Sequence, residues 1–129
     1  MYISKKKRIL KFSESINEAL FLSMKKNKNV LLMGLGIDDP KAIFSTTLNL
    51  NKFFPNRVFD MPTSENSMTG FAIGLSISGK RPIITHQRVE FSLLSMDQII
   101  NQAAKWLYMN AGQKSVPLVI RLIIGRGWG

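Results

Sequence analysis

Apolar side chains recur at helical spacing between Ser13 and Lys26, where Ile16, Ala19, Leu20 and Met24 share a face and lysines fill the last turn. The run "NVLLMGLG" (29–36) is short and nearly all apolar, which predicts a strand covered on both faces. "DDP" (38–40) opens a loop, and 41–54 carries a mixed pattern that predicts partial helix. "RVFD" (57–60), "RPIIT" (81–85) and "VPLVIRLII" (116–124) predict three further strands. Residues 64–78 predict a helix ended by Gly79. Residues 92–110 predict one long helix, with Leu93, Met96, Ile100, Ala103 and Leu107 on one face and Gly112 as its stop.

Helices alternating with short apolar strands predict an α/β fold, a three-layer α/β/α arrangement around a mainly parallel sheet. Within the 64–78 helix, Gly70, Gly74 and Ser78 are four residues apart and share a face. A helical glycine costs about 0.8–1 kcal/mol against alanine, so two on one stripe imply close approach of another backbone. Packing on the sheet and packing on another subunit both satisfy that pattern.

The 129 residues are 45% hydrophobic and 20% charged, enough for one domain with a real core. Cysteine is absent, which excludes disulfides, thiolate zinc sites and cysteine nucleophiles and points to a reducing, cytoplasmic compartment. No apolar stretch approaches the roughly 20 residues of a membrane span; Arg121 interrupts the last one. Of the net charge of +10, +6 lies in residues 1–28, which hold eight of the 18 basic and two of the eight acidic residues. Residues 1–12 are expected to form a basic arm and 13–129 the domain. Such an arm can bind polyanions, but without regularly interleaved aromatics a solvated face is preferred to a nucleic-acid interface. The chain ends in "GRGWG" (125–129), directly after a strand. Because loops at the carboxyl ends of parallel strands build the site, a truncated domain is expected.

Glu65 is expected in the first turn of its helix, where the macrodipole favours a carboxylate with no function required. His86, the only histidine, follows a strand and can face a site or satisfy a structural role.

"RVFDMPTSENSMTGFAIGLSISGKRPI", "MDQIINQAAKWLYMNAGQ" and "VPLVIR", in this order, resemble the β-subunits of thiamine-diphosphate-dependent 2-oxo acid dehydrogenases (pyruvate, branched-chain and acetoin). The resemblance spans about Leu10 to Arg121 and covers their transketolase-like pyrimidine-binding domain. It implies that Glu65 shares a proton with a pyrimidine ring nitrogen and activates the cofactor. It implies further that Phe91 stacks on the aminopyrimidine and that Gln87 lines the pocket where methionine is common; His86, from its place at the end of a strand, is expected to face substrate. The diphosphate and Mg²⁺ would be held by a partner α-subunit, and no metal ligand is expected here. An α2β2-type heteromer with β–β contact and a lipoyl carrier as acyl acceptor are implied, with the present chain inactive alone. Related subunits carry acids where Leu35, Gly36 and Thr85 stand, so another acyl donor is open. A catalytically inert interaction domain and a basic nucleic-acid-binding module are the alternatives.

Overall fold

The computed structural model describes residues 8–125. Most of the expected basic arm, including Lys5–Lys7, and the terminal residues 126–129 lie outside the described residues. Four strands form one all-parallel sheet in the order β2-β1-β3-β4. They are β1 (Val30–Gly34), β2 (Val58–Asp60), β3 (Arg81–His86) and β4 (Val119–Leu122). The helices are α1 (Phe12–Lys26), α2 (Leu50–Phe53), α3 (Glu65–Ile77) and α4 (Ala104–Met109).

β1 is central and all five of its residues are buried. Its alternating side chains feed two cores, because successive residues of a strand point to opposite faces. Val30 and Leu32 pack with Leu20 and Met24 of α1, Leu50 of α2 and Val58. Met33 packs with Ile84 of β3 and Ala72 of α3. Helices therefore cover both faces, and the expected three-layer parallel α/β fold is observed.

Arg57 braces the α1–β1 junction beside the junction's own backbone hydrogen bond, from the Val30 N–H to the Asn27 carbonyl. Arg57 Nη1 donates to the carbonyls of Met24 at 2.8 Å and Asn27 at 3.1 Å, which the end of α1 leaves without intrahelical partners. Its guanidinium also lies 4.6 Å above the Phe54 ring.

Two expectations are corrected. The long helix over 92–110 is instead a 3₁₀ segment (Val89–Ser95), a π segment (Asp97–Ala103) and α4. The apolar face of that helix is open: Leu93, Ile100 and Leu107 are all exposed. An i→i+5 segment has more residues per turn than 3.6, so residues in phase by α-helical spacing no longer align. The strand over 116–124 is the short edge strand β4, only half-buried because nothing pairs with its outer side among the described residues. The 41–54 segment is partly helical as expected, in the four residues of α2, and otherwise mostly turns. Ala42, Ile43, Phe44 and Ser45 all carry positive φ, from 45° to 66°.

The glycine stripe of α3 does not face the sheet. A Cβ on Gly70 would meet Gln98 Oε1 of the π segment at 3.1 Å, and one on Gly74 would meet nothing within 4 Å.

Candidate functional site

The parallel sheet sends the ends of β1, β2 and β3 to one edge, where the following loops converge. A cleft there is lined by Leu35 after β1, Pro62 to Glu65 after β2, Met68 of α3, Thr85, His86 and Gln87 at the end of β3, and Phe91. The four residues singled out in the sequence, Glu65, His86, Gln87 and Phe91, therefore share one wall of space.

Glu65 is the first residue of α3. Its helix begins without a side-chain cap, because the Ser64 hydroxyl bonds to Ser67 Oγ at 2.9 Å instead. No hydrogen bond or ion pair engages the Glu65 carboxylate among the described residues, so its contribution to α3 is limited to the dipole.

His86 is 1% exposed. Burial lowers its pKa from the ordinary histidine value, while the charge of Glu65 pulls it back up. Burial is the larger effect, so the imidazole is neutral near pH 7. Its Nε2 lies 3.4 Å from Thr69 Oγ1, a long contact, and its Nδ1 is buried with no partner among the described residues.

Gln87 donates through Nε2 to the Leu35 carbonyl at 3.1 Å, tying the end of β3 to the loop after β1. Phe91 sits in the 3₁₀ segment, 38% exposed, with the Arg88 guanidinium 5.8 Å from its ring centre. Gly36 has φ +69°, and a Cβ there would lie 2.7 Å from both Asp39 Oδ2 and Gln87 Nε2. No side chain fits at that position without displacing those groups. Thr85 is fully buried and accepts a 3.4 Å contact from Arg121 Nη1.

Thr69, Asp39 and Asp60 were not singled out in the sequence. Asp60, the last residue of β2, accepts from the Ile37 amide at 3.0 Å and shapes the loop after β1. Nothing in local spacing marks these three, since their partners lie 17 to 23 residues away or across a turn.

Among the described residues, no group of three or more His, Cys, Asp or Glu could hold a metal ion. None of the described helices is long and apolar enough to cross a membrane.

Fold and cleft together define an α/β domain with its candidate site at the carboxyl ends of parallel strands, where open α/β sheets bind ligands. The chain belongs to the family described as "Transketolase, pyrimidine binding domain", whose profile matches residues 9–128. It is 39% identical over 109 residues to the pyruvate dehydrogenase E1 component subunit beta-2, mitochondrial, of Oryza sativa subsp. japonica, covering 84% of this chain and 29% of that protein. It is 37% identical over 117 residues to the mitochondrial pyruvate dehydrogenase E1 component subunit beta of Pisum sativum, covering 90% and 33%. It is also 34% identical over 134 residues to the acetoin:2,6-dichlorophenolindophenol oxidoreductase subunit beta of Bacillus subtilis (strain 168), covering 94% and 39%. The chain thus spans between 29% and 39% of the length of these three relatives.

Proposed function

We propose that this chain binds the aminopyrimidine half of thiamine diphosphate, as the pyrimidine-binding part of a 2-oxo acid dehydrogenase-type β-subunit. The observation that carries the reading is the convergence of Glu65, His86, Gln87 and Phe91 on one cleft in a member of the pyrimidine-binding family. The whole enzyme would oxidatively decarboxylate a 2-oxo acid and pass the acyl unit to a lipoyl carrier. An α-subunit would hold the diphosphate and Mg²⁺ in an α2β2-type assembly with β–β contact, and this chain alone would not turn over.

The donor set fits a protonatable heteroaromatic ring. Among the described residues it offers a carboxylate with no competing partner, a partly exposed aromatic ring, and a neutral imidazole with an unpartnered nitrogen. The enclosed space is about 10 Å³, room for roughly one water. Admission of a ring therefore requires the rim to open, and Pro62, Thr63 and Phe91 are its exposed members.

When bound, the cofactor supplies a carbon nucleophile for attack on the 2-oxo acid carbonyl; the protein orients it and sets its protonation. Glu65 would hold a proton against a pyrimidine nitrogen, at a helix start that keeps the carboxylate in place. Phe91 would cover one ring face, and Gln87, braced on Leu35, would set the depth of the cleft. His86 would present Nδ1 to substrate as a neutral acceptor.

The test is Glu65→Gln in the full-length protein with its α-partner. Hydrogen–deuterium exchange at the thiazolium carbon should fall by about 10²–10⁴-fold, the usual worth of general acid–base catalysis. Near-normal exchange with a lowered melting temperature would reduce Glu65 to a helix-start acid. A catalytically inert interaction domain is the second reading, favoured by Gly36, whose left-handed φ of +69° strains any side chain at a position where the resemblance implies an acid.

A further inference from the structure

Arg121 lies outside the chemistry proposed above. It stands in the edge strand β4 with its side chain partly buried. Nη2 donates to Thr46 Oγ1 at 3.0 Å, and Nη1 makes the 3.4 Å contact to Thr85 Oγ1. Both threonines are buried, and the hydroxyl proton of Thr46 already goes to the Ile43 carbonyl at 2.8 Å. The threonines therefore act as acceptors that aim the guanidinium, and neither neutralises it.

No carboxylate does so either. The ion pairs among the described residues are Arg8–Glu18 and Arg88–Glu90, and Arg121 belongs to neither. A guanidinium stays charged at physiological pH and offers five N–H donors, of which two are used here. Burial lowers its pKa, the direction expected of a cation lacking a counter-charge. A buried charge is costly unless paired.

Beside this guanidinium is a cleft of about 420 Å³. Apart from Arg121 and Thr46, its walls are largely apolar, with Phe12, Ile16, Ile43 and Ile123 among them. That size and make-up, mostly apolar with a few placed polar groups, suit a small-molecule site. One wall comes from the turn at Ala42–Ser45, where four consecutive non-glycine residues have positive φ. Such backbone clusters at ligand clamps and switch regions.

We infer that this cleft is a second binding site, for a small aliphatic monocarboxylate whose carboxylate pairs with Arg121 and whose alkyl chain lies along Phe12, Ile16 and Ile43. A single planar cation matches a carboxylate bidentately, and the apolar walls favour an alkyl chain over a polar or multiply charged ligand. The site is separate from the Glu65 cleft: Arg121 and Thr46 line one and Glu65 and His86 the other, with Thr85 between them.

The test is isothermal titration calorimetry of the full-length protein with octanoate, using octanol as the neutral analogue. Octanoate should bind saturably and more tightly than octanol. Arg121→Gln should weaken octanoate roughly ten- to hundredfold, the range for losing a hydrogen-bonded charge partner, and Arg121→Lys should restore part of it. Ile16→Trp, which puts a larger side chain into the apolar wall of the cleft, should abolish binding. Glu65→Gln should leave octanoate binding unchanged, which separates this site from the cofactor reading. If Arg121→Gln misfolds by circular dichroism, the Ile16→Trp variant and the octanoate–octanol contrast carry the test. Equal binding of octanoate and octanol, undiminished binding to a folded Arg121→Gln variant, or no saturable binding would overturn the inference.

Discussion

Thr69 Oγ1 lies 3.4 Å from His86 Nε2, and its own proton is held by the Glu65 carbonyl at 2.8 Å. A hydroxyl has one proton to donate, so Thr69 can only accept from the imidazole. Nε2 therefore carries the ring hydrogen, and the lone pair resides on Nδ1, which has no partner among the described residues. One threonine thus links the first turn of α3, where Glu65 stands, to the end of β3 and sets the tautomer of the only histidine.

The titration of His86 follows from that arrangement. As the sole histidine it gives one imidazole signal in proton NMR. Its folded pKa should lie below the unfolded value of about 6.5. Glu65→Gln should lower it further, because the carboxylate charge pulls the pKa up. A folded pKa depressed in this way contributes stability that is fully present above about pH 6.5 and lost as pH falls through the folded value. His86→Gln should flatten the pH dependence of the melting temperature over that window. A folded pKa at or above 6.5 would contradict the burial argument.

Glu65→Gln should cost little stability in the isolated chain. With no hydrogen bond to its carboxylate, only the dipole contribution of about 0.3–1 kcal/mol is at stake. Urea denaturation of the variant checks this, and a loss well above that range would show that the carboxylate anchors α3.

Gly36→Ala should destabilise the chain by about 1–2 kcal/mol from the left-handed backbone alone. The added Cβ also collides with Gln87 Nε2, so the Gln87–Leu35 hydrogen bond that braces the cleft should be lost with it. An unchanged denaturation midpoint would mean that the loop after β1 adapts freely.

Gly74→Ala separates the two uses of the small-residue stripe. With nothing within 4 Å of the new Cβ, the isolated chain should gain about 0.8–1 kcal/mol from helix propensity. If α3 crosses another subunit at this face, assembly of the full-length protein should weaken, as read by sedimentation velocity. A gain in stability with unimpaired assembly would remove the interface role. A loss in the isolated chain would show that the face is already packed.

The sequence by itself determined the alternation of helix and strand, because periodicity is a local property of the chain. The parallel sheet was legible only through it, since helices between successive strands return the chain in the same direction. Buried runs such as Val30–Gly34 must be covered on both faces, and Leu20 and Met24 of α1 are in phase to do it. Glu65 was placed at its helix start by the same local logic, whereas joining it to His86, Gln87 and Phe91 required the family resemblance, since no short-range pattern links positions 65 and 91. Tertiary structure alone decided the rest. The stripe from Leu93 to Leu107 lost its phase in a π segment and stayed exposed. Arg121 met Thr46 from 75 residues away, and Thr69 met His86 from 17. Gly36 turned out to need a left-handed φ with Asp39 and Gln87 against it. Periodicity reports which side of an element is apolar; what stands opposite that side, and which polar groups are left without partners there, depends on strand order and on through-space contacts that spacing along the chain does not encode.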